Sequence, residues 1–392
     1  MRKRLNAFFK ALVWGSVVLV LPMLTACQSI TNFEVQREPP LALLTPHQFD
    51  FSRSLARPPA HMSLVITDEM RAFVEPDIAK VKNERARVHA LIRKLAVEGY
   101  YSDTYVDGLT QSAAATFTSK KGNCLSYTHM FIALARAAGL DARYELVNAP
   151  PTYIANEGVL VHLVHIRLRV LLPSRLYRER YVSIDFNRHS VKEFQGRVVS
   201  DQFARSLHYA NDAVEYWRSG DNNLAFAYIG HAIKLAPKHP DHWVNLATFY
   251  KRLGLSEEAL QINRYALSLD KSHVVALAGI LEHAQGAEFV RLKTKVERRR
   301  AKNPYYQFAL AQRAFEYSQM AEALFFIDRS LALERRNHRF FELKGSILKS
   351  LNNYEEAYSS YENALNFAKT PAEKQRYQRE LDVLDQLLTG KA

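Results

Sequence analysis

Cys124 is the residue whose type and position could do chemistry. It follows Gly122 and Asn123, which predict a turn, and it opens an apolar stretch with helical character. A cysteine in the first turn of a helix lies near unpaired backbone N–H groups and the positive end of the helix dipole, which favour thiolate over thiol. Lys120 and Lys121 act in the same direction. A cysteine nucleophile also needs a base, and that base needs an orienting group.

The flanking pattern predicts the elements that must position Cys124. A helical period covers residues 76–98, and a second helix is expected over residues 123–138. Three later stretches have the period of two that is typical of strands: residues 142–147, 159–170 and 181–184. Helices followed by antiparallel strands predict an α+β domain, which we place at residues 61–204.

The stretch around Cys124 resembles the transglutaminase-like (papain-related) superfamily. The likeness lies in Gly-Asn-Cys-Leu-Ser-Tyr-Thr at 122–128 and Ala-Leu-Ala-Arg-Ala-Ala-Gly-Leu at 133–140. The resemblance implies a catalytic cysteine at a helix start, a histidine on a following strand and an aspartate on the next strand. It therefore implies acyl transfer at an amide carbonyl. We expect no metal site and no cofactor, because the clustered histidines lack metal-ligand spacing with carboxylates or thiols.

Two histidines match the position that the resemblance implies for the base. His165 opens a regular apolar–polar alternation, whereas two apolar residues follow His162. Their odd spacing would place them on opposite faces of one strand. We therefore expect His165 to be the catalytic base and keep His162 as the alternative. Asp185, at the end of the next strand, matches the orienting aspartate.

The C-terminal half has a helical repeat. Leu224-Ala225, Glu258-Ala259, Glu322-Ala323 and Glu356-Ala357 recur at intervals of 34, 64 and 34 residues. A period of 34 residues is the signature of tetratricopeptide repeats, which are helix–turn–helix units stacked into a solenoid. We expect an all-α domain at residues 205–390 with four or five units, of which one, near residues 271–304, has lost most of the pattern.

The N-terminus has the features of a secretory signal. Basic residues precede an apolar stretch that is too short for a bilayer span and that ends in Leu24-Thr25-Ala26-Cys27. This end resembles a bacterial lipobox, so residues 1–26 are the expected signal peptide and Cys27 the expected lipidation site. Residues 27–60 contain several prolines and are expected to be a tether. Gln28, not Asp, follows the cysteine, and by resemblance to Gram-negative sorting this places the lipoprotein on the periplasmic face of the outer membrane.

Composition narrows the functional classes. The 392 residues are 48% hydrophobic and carry a net charge of +13, four units of which belong to the predicted signal peptide. That length and apolar content predict folded domains, and the remaining charge gives no reason to expect nucleic acid as a partner. The chain has no phosphate loop or nucleotide-binding fingerprint.

The combined pattern resembles bacterial lipoproteins that join a transglutaminase-like domain to tetratricopeptide repeats. It predicts an envelope protein that acts on amide bonds, as a protease, amidase or transamidase, and that binds a protein or peptide through its repeats. The alternative is a catalytically inactive scaffold that works through the repeats alone.

Overall fold

The computed structural model describes residues 38–44, 63–75, 77–100, 106, 108–147, 152–156, 159–163, 165–173, 180–186, 195–368 and 371–389. The predicted signal peptide and Cys27 lie outside these residues. Within the described part of the chain, no helix combines the length and the apolar character that a bilayer crossing requires.

In the part of the chain that the structure describes, four α-helices precede the first strand: α1 (Asp68–Val74), α2 (Glu84–Val97), α3 (Ala113–Ser119) and α4 (Cys124–Ala137). The helix expected over residues 76–98 is wrong at its N-terminal end. Asn83 is the N-cap of α2, and its side chain accepts a hydrogen bond from the Ala86 N–H at 2.9 Å. An Asn at this position starts a helix because it satisfies an otherwise unpaired amide. Ile78, which contributes to the expected helical period, lies in a turn, and its side chain is buried.

The strands form two separate sheets. They are β1 (Asp141–Val147), β2 (Thr152–Asn156), β3 (Val159–Leu163), β4 (Ile166–Leu172), β5 (Arg180–Ile184) and β6 (Gly196–Val199). Four of them form an antiparallel sheet in the order β5-β4-β1-β6, and β2 pairs with β3 in a hairpin. The single strand expected over residues 159–170 is therefore wrong, because β3 and β4 belong to different sheets. The sequence pattern does not predict β2 or β6.

The core of this domain lies between α4 and the four-stranded sheet. Met130, Phe131 and Leu134 of α4 are fully buried, as are Tyr144 of β1 and Leu168 of β4. Almost every residue from Leu125 to Ala135 is buried, so α4 is an internal helix rather than an amphipathic surface helix. A helix that is packed on all sides holds its first residue in a fixed place relative to the sheet.

Eleven helices follow the sheet in the described residues. They are α5 (Asp201–Arg218), α6 (Asn222–Leu235), α7 (Pro240–Arg252), α8 (Ser256–Leu269), α9 (Val274–Leu281), α10 (Gly286–Ala301), α11 (Pro304–Glu316), α12 (Met320–Leu333), α13 (His338–Ser350), α14 (Tyr354–Phe367) and α15 (Pro371–Leu388). Helices α5 to α14 form five successive pairs, and α15 packs on the last pair. The four recurring alanines lie on the second helix of a pair, and each is buried.

The third pair, α9 and α10, accounts for the irregular interval in the repeat. α9 has only 8 residues, whereas the first helices of the neighbouring pairs have 13. The two helices of this pair lie where the eroded unit is expected, near residues 271–304. The solenoid starts earlier than expected, because Ser200 caps α5 by accepting a hydrogen bond from the Phe203 N–H at 3.1 Å.

Candidate active site

Cys124 is the first residue of α4 and is partly exposed. Asn123 is the N-cap, and its side-chain oxygen accepts a hydrogen bond from the Ser126 N–H at 3.1 Å. Gly122 has φ +151°, and a Cβ atom there would lie 2.4 Å from the Cβ of Ser126. Only glycine therefore allows the chain to enter α4 at this angle.

A short loop supports the start of α4. The Ser126 hydroxyl donates to the Leu109 carbonyl at 3.1 Å and accepts from the Gln111 N–H at 2.8 Å. The Asn123 amide group donates to the Thr110 hydroxyl oxygen at 2.6 Å. That same oxygen accepts a second hydrogen bond, from Asn211 of α5, at 2.9 Å. The cap of the cysteine helix is thus connected to the first helix of the solenoid.

His165 and Asp185 form a close, buried pair. The His165 Nε2 atom is 2.9 Å from both Asp185 carboxylate oxygens, and the two side chains are 8% and 5% exposed. His165 also forms a hydrogen bond with the Cys124 side chain. Because the Nε2 atom is hydrogen-bonded to Asp185, Nδ1 is the ring nitrogen that can exchange a proton with the Cys124 thiol. The structure therefore brings together all three residues of the expected triad.

The pKa of His165 reflects two opposing effects. Burial lowers it, since a charged imidazolium is poorly solvated inside the protein. Hydrogen bonds and electrostatic attraction from Asp185 and Cys124 outweigh burial and raise the pKa of His165 to about 9. This environment favours an imidazolium at neutral pH, which is the partner that a thiolate requires.

The pairing of β4 and β5 brings His165 to Asp185. His165 precedes β4, and its carbonyl accepts a hydrogen bond from the Val147 N–H at 3.0 Å, which fixes its backbone to β1. In the antiparallel register Leu168 lies opposite Ile184, so Asp185 emerges beside the start of β4. Phe186 then packs against Tyr127 and Phe131 of α4, with ring centroids 5.9 and 5.7 Å apart.

A buried ionic cluster holds the strands that carry the pair, and sequence reasoning missed it. Glu145 of β1 is 0% exposed and accepts hydrogen bonds from Arg167 at 2.9 Å, from Arg169, and from the Ser183 hydroxyl at 2.9 Å. Burial acts to raise the pKa of Glu145, but these donors hold it below the usual value. The cluster joins β1, β4 and β5. The alternation after His165 contains both arginines, which would ordinarily be assigned to a solvent face.

The alternative base, His162, lies on a different strand from the one that follows His165. His162 is on β3, opposite Tyr153 of β2, and not on the strand that follows His165. The expectation that the two histidines share one strand is therefore wrong, although the pattern favours His165 on other grounds as well. Among the described residues, no group of three or more His, Cys, Asp or Glu side chains is placed to hold a metal ion.

Comparison with known proteins defines the class of each half of the chain. A family model of the transglutaminase-like superfamily matches residues 71–185, which include Cys124, His165 and Asp185. Two tetratricopeptide-repeat models match residues 222–261 and 338–371. The chain thus combines a transglutaminase-like core domain with a tetratricopeptide-repeat solenoid.

Individual relatives match only in part. Human DnaJ homolog subfamily C member 7 is 26% identical over 174 residues, which cover 40% of this chain and 35% of the human protein. A TPR repeat-containing protein of Methanocaldococcus jannaschii is 29% identical over 163 residues, or 42% of this chain and 25% of that protein. The chain therefore spans about a third or less of either relative. The crystal structure of a thermophilic TPR protein from Thermus thermophilus has 18% identity and a TM-score of 0.27, and covers 45% of this chain and 98% of its own.

Proposed function

We propose that the transglutaminase-like domain is a cysteine-dependent acyl transferase or hydrolase. The observation that carries the proposal is the contact of His165 with Asp185 on one side and with Cys124 on the other. Asp185 orients the imidazole ring and stabilises its charged form, which is the role of the acid in a triad. Cys124 is partly exposed, so a substrate can reach the sulfur while the other two groups stay buried.

The reaction proceeds in two halves. His165 takes the Cys124 proton, and the thiolate forms a bond with the carbonyl carbon of an amide. The imidazolium then returns the proton to the leaving nitrogen, the C–N bond breaks, and a thioester remains. In the second half His165 takes a proton from water or from an amine, which attacks the thioester carbonyl carbon. The C–S bond then breaks, Cys124 leaves as the thiolate beside the protonated His165, and the product is an acid or a new amide. Backbone N–H groups in the first turn of α4 have no partner within the helix and are suited to stabilise the oxyanion.

The proposal extends to the rest of the chain. Cys27 would be lipidated after removal of residues 1–26, and the protein would face the periplasm from the outer membrane. The lipobox-like Leu24-Thr25-Ala26-Cys27 supports this part. Incorporation of labelled palmitate in cells that is lost in Cys27→Ala would agree with it, and equal labelling of the variant would refute it. The repeats would bind a protein or peptide partner, as such solenoids commonly do.

The rate of Cys124 alkylation tests the catalytic proposal. A chain that begins at Gln28 contains a single cysteine, so iodoacetamide consumption reports on Cys124 alone. At pH 6 we expect the unsubstituted chain to react about 10-fold faster than His165→Ala, because an adjacent imidazolium stabilises the reactive thiolate. Asp185→Asn should give an intermediate rate, since it removes the group that stabilises the imidazolium.

His162→Ala is the matched control, because it removes a histidine three positions away on another strand. It should react at the unsubstituted rate. If the rate fell only in His162→Ala, the base would be His162 and the assignment of His165 would be wrong. If all four proteins reacted equally slowly, the enzyme proposal would fail and the inactive scaffold, working through its repeats, would be favoured.

A further inference from the structure

A short segment of the predicted tether is bound to the solenoid. Residues 39–44, Pro-Pro-Leu-Ala-Leu-Leu, are called the strap from here on. Leu41–Leu44 form one turn of 3-10 helix, with the Leu41 N–H bonded to the Pro39 carbonyl at 2.8 Å and the Leu43 N–H bonded to the Pro40 carbonyl at 3.0 Å. This turn brings Leu43 and Leu44 to the same side of the strap, toward the repeats.

The strap contacts α6 and α7 through few groups. Leu44 is 8% exposed and belongs to the same apolar cluster as the side chains of α6 and α7, and Leu43 packs at its edge. The Tyr250 hydroxyl of α7 donates a hydrogen bond to the Leu43 carbonyl at 2.8 Å. At Gly230 of α6 the backbone comes close, because a Cβ there would lie 3.8 Å from the Leu44 carbonyl oxygen.

The pattern of buried and exposed strap residues describes a binding motif. Pro40 and Leu44 are buried and Leu43 is partly buried, whereas Leu41 is 61% exposed and Ala42 is exposed. The strap thus has a buried proline followed, after two exposed positions, by two leucines that pack on the solenoid. Its one polar contact uses a backbone carbonyl, which any peptide supplies. Side-chain pockets give such a site its specificity, and backbone hydrogen bonds add affinity.

We propose that the surface of α6 and α7 is the peptide-binding site of the repeat domain. Its ligands are apolar segments of the form Pro-x-x-Leu-Leu in a partner protein. The strap occupies this site until such a segment displaces it. This inference deepens the proposed function by naming the partner chemistry, and it rests on the repeats acting in partner binding. The strap competes with the partner segment for the surface of α6 and α7. Its covalent linkage gives it a high effective concentration, so a free ligand must bind more tightly than the strap does alone.

Displacement would also change the reach of the protein. From Cys27 to residue 38 a fully extended chain spans at most about 40 Å, whereas from Cys27 to residue 63 it spans up to about 125 Å. A bound strap would therefore keep the solenoid near the lipid anchor. A partner that replaces the strap would free the whole tether and let the cysteine domain reach about three times as far.

Binding of the strap peptide in trans tests the proposal. The probe is a fluorescent peptide of residues 38–45, and the receptors are the chain from Gln28, its Leu43→Asp/Leu44→Asp variant, and the chain from Pro46, which lacks the strap. By fluorescence anisotropy, both receptors without a functional strap should bind the peptide at least 10-fold more tightly than the chain from Gln28. Addition of Tyr250→Phe to the chain from Pro46 should weaken binding several-fold, because the hydrogen bond to the peptide carbonyl is lost.

A probe in which both leucines are replaced by aspartate is the control peptide and should bind none of the receptors. No binding of the natural probe to either strapless receptor, with helical circular dichroism intact, would overturn the proposal. Equal binding by all three receptors would show that the strap does not occupy the site, and would overturn it as well. Cys124 alkylation in the same samples reports on the catalytic domain separately, so loss of the peptide site and loss of the enzyme proposal are distinguishable.

Discussion

His165 links the chemistry of the site to the stability of the fold. Its pKa is raised to about 9 in the folded protein, against about 6.5 in an unfolded chain. The folded state therefore binds a proton that the unfolded state releases between these two values. The stabilisation that comes with this proton is fully present below pH 6.5 and is lost as the pH rises through 9. Asp185 is the largest favourable contributor to the shift.

We predict that in a Cys124→Ser variant the free energy of unfolding falls by about 1 to 3 kcal/mol between pH 6.5 and pH 9.5 because of His165. The serine is needed because a Cys124 thiolate would offset the proton that His165 holds, so the unsubstituted chain would show little net change. Adding Asp185→Asn to Cys124→Ser removes the carboxylate that holds the proton, so the double variant should lose much less over the same range. Urea denaturation at several pH values, followed by circular dichroism, measures the effect. Equal declines in the single and double variants would mean that His165 is not charged in the folded state.

Individual site residues differ in how far the sequence could identify them. Local patterns placed Cys124 at a helix start and Asp185 at a strand end, whereas their expected roles came from the family resemblance. Glu145 was not, since its burial depends on Arg167 and Ser183 from two other strands. A charged residue on an alternating strand ordinarily faces solvent, and only the assembled sheet shows that these charges neutralise one another.

The helices of the solenoid could be predicted because the same packing contact recurs in each pair. The strands could not be assigned to their sheets, because each strand has its own packing partners. The buried alanines revealed the helix pairs because every pair needs a small residue at the same contact. The break between β3 and β4 has no comparable local cause, since both strands are rich in strand-forming Val, Ile and Leu and lie close together in sequence. Which sheet each joins is decided by pairing partners elsewhere in the chain, such as β2 for β3 and β1 for β4.

Two glycines on helices provide a matched test of the packing within a helix pair. A Cβ at Gly345 of α13 would lie 2.7 Å from the Tyr361 ring, whereas a Cβ at Gly230 of α6 meets only ordinary contacts at 3.8 Å. Alanine is favoured over glycine in a helix by about 1 kcal/mol, so both substitutions gain the same propensity term. Gly345→Ala also forces the Tyr361 ring, which is 3% exposed, out of its place.

We predict that Gly345→Ala lowers the free energy of unfolding by about 1 to 3 kcal/mol, and that Gly230→Ala leaves it unchanged or raises it by up to about 1 kcal/mol. Urea midpoints of the two variants, measured side by side, give the comparison. If Gly345→Ala were as stable as Gly230→Ala, the close packing of α13 on α14 would be incorrect.

The two domains share a buried junction that is formed by α4 and α5. His129 of α4 and His208 of α5 stack with their ring centroids 5.3 Å apart, and His129 Nε2 is 3.3 Å from His208 Nδ1. The other ring nitrogen of His129 is 2.5 Å from the Tyr144 hydroxyl. At the far end of α4, Arg136 pairs with both carboxylate oxygens of Asp201. The cysteine helix is therefore joined to the solenoid near its middle, through His129, and near its C-terminal end, through Arg136.

The buried histidines make this junction sensitive to acid. Burial lowers the pKa of His208 to about 4, and burial together with His208 lowers the pKa of His129 well below its usual value. Each is neutral in the folded protein, while in the unfolded chain it gains a proton below about pH 6.5. Stability is therefore lost as the pH falls from 6.5 toward 4. Asp212 opposes part of this loss, since burial raises its pKa to about 7 and it takes up a proton on folding in the same range.

We predict that His208→Gln removes about 3 kcal/mol of acid destabilisation between pH 6.5 and pH 4, because glutamine fills the junction without gaining a charge. The Asp212 carboxylate lies 3.6 Å from the His208 Nε2 atom, so both proteins also carry Asp212→Asn, which removes its contribution from the comparison. His89→Gln, at an exposed position of α2, is the control and should retain the full acid sensitivity. Urea denaturation at pH 6.5 and pH 4, followed both by circular dichroism and by Cys124 alkylation, measures the change. If His208→Gln lost stability in acid as steeply as His89→Gln, the burial of a neutral His208 in this junction would be wrong.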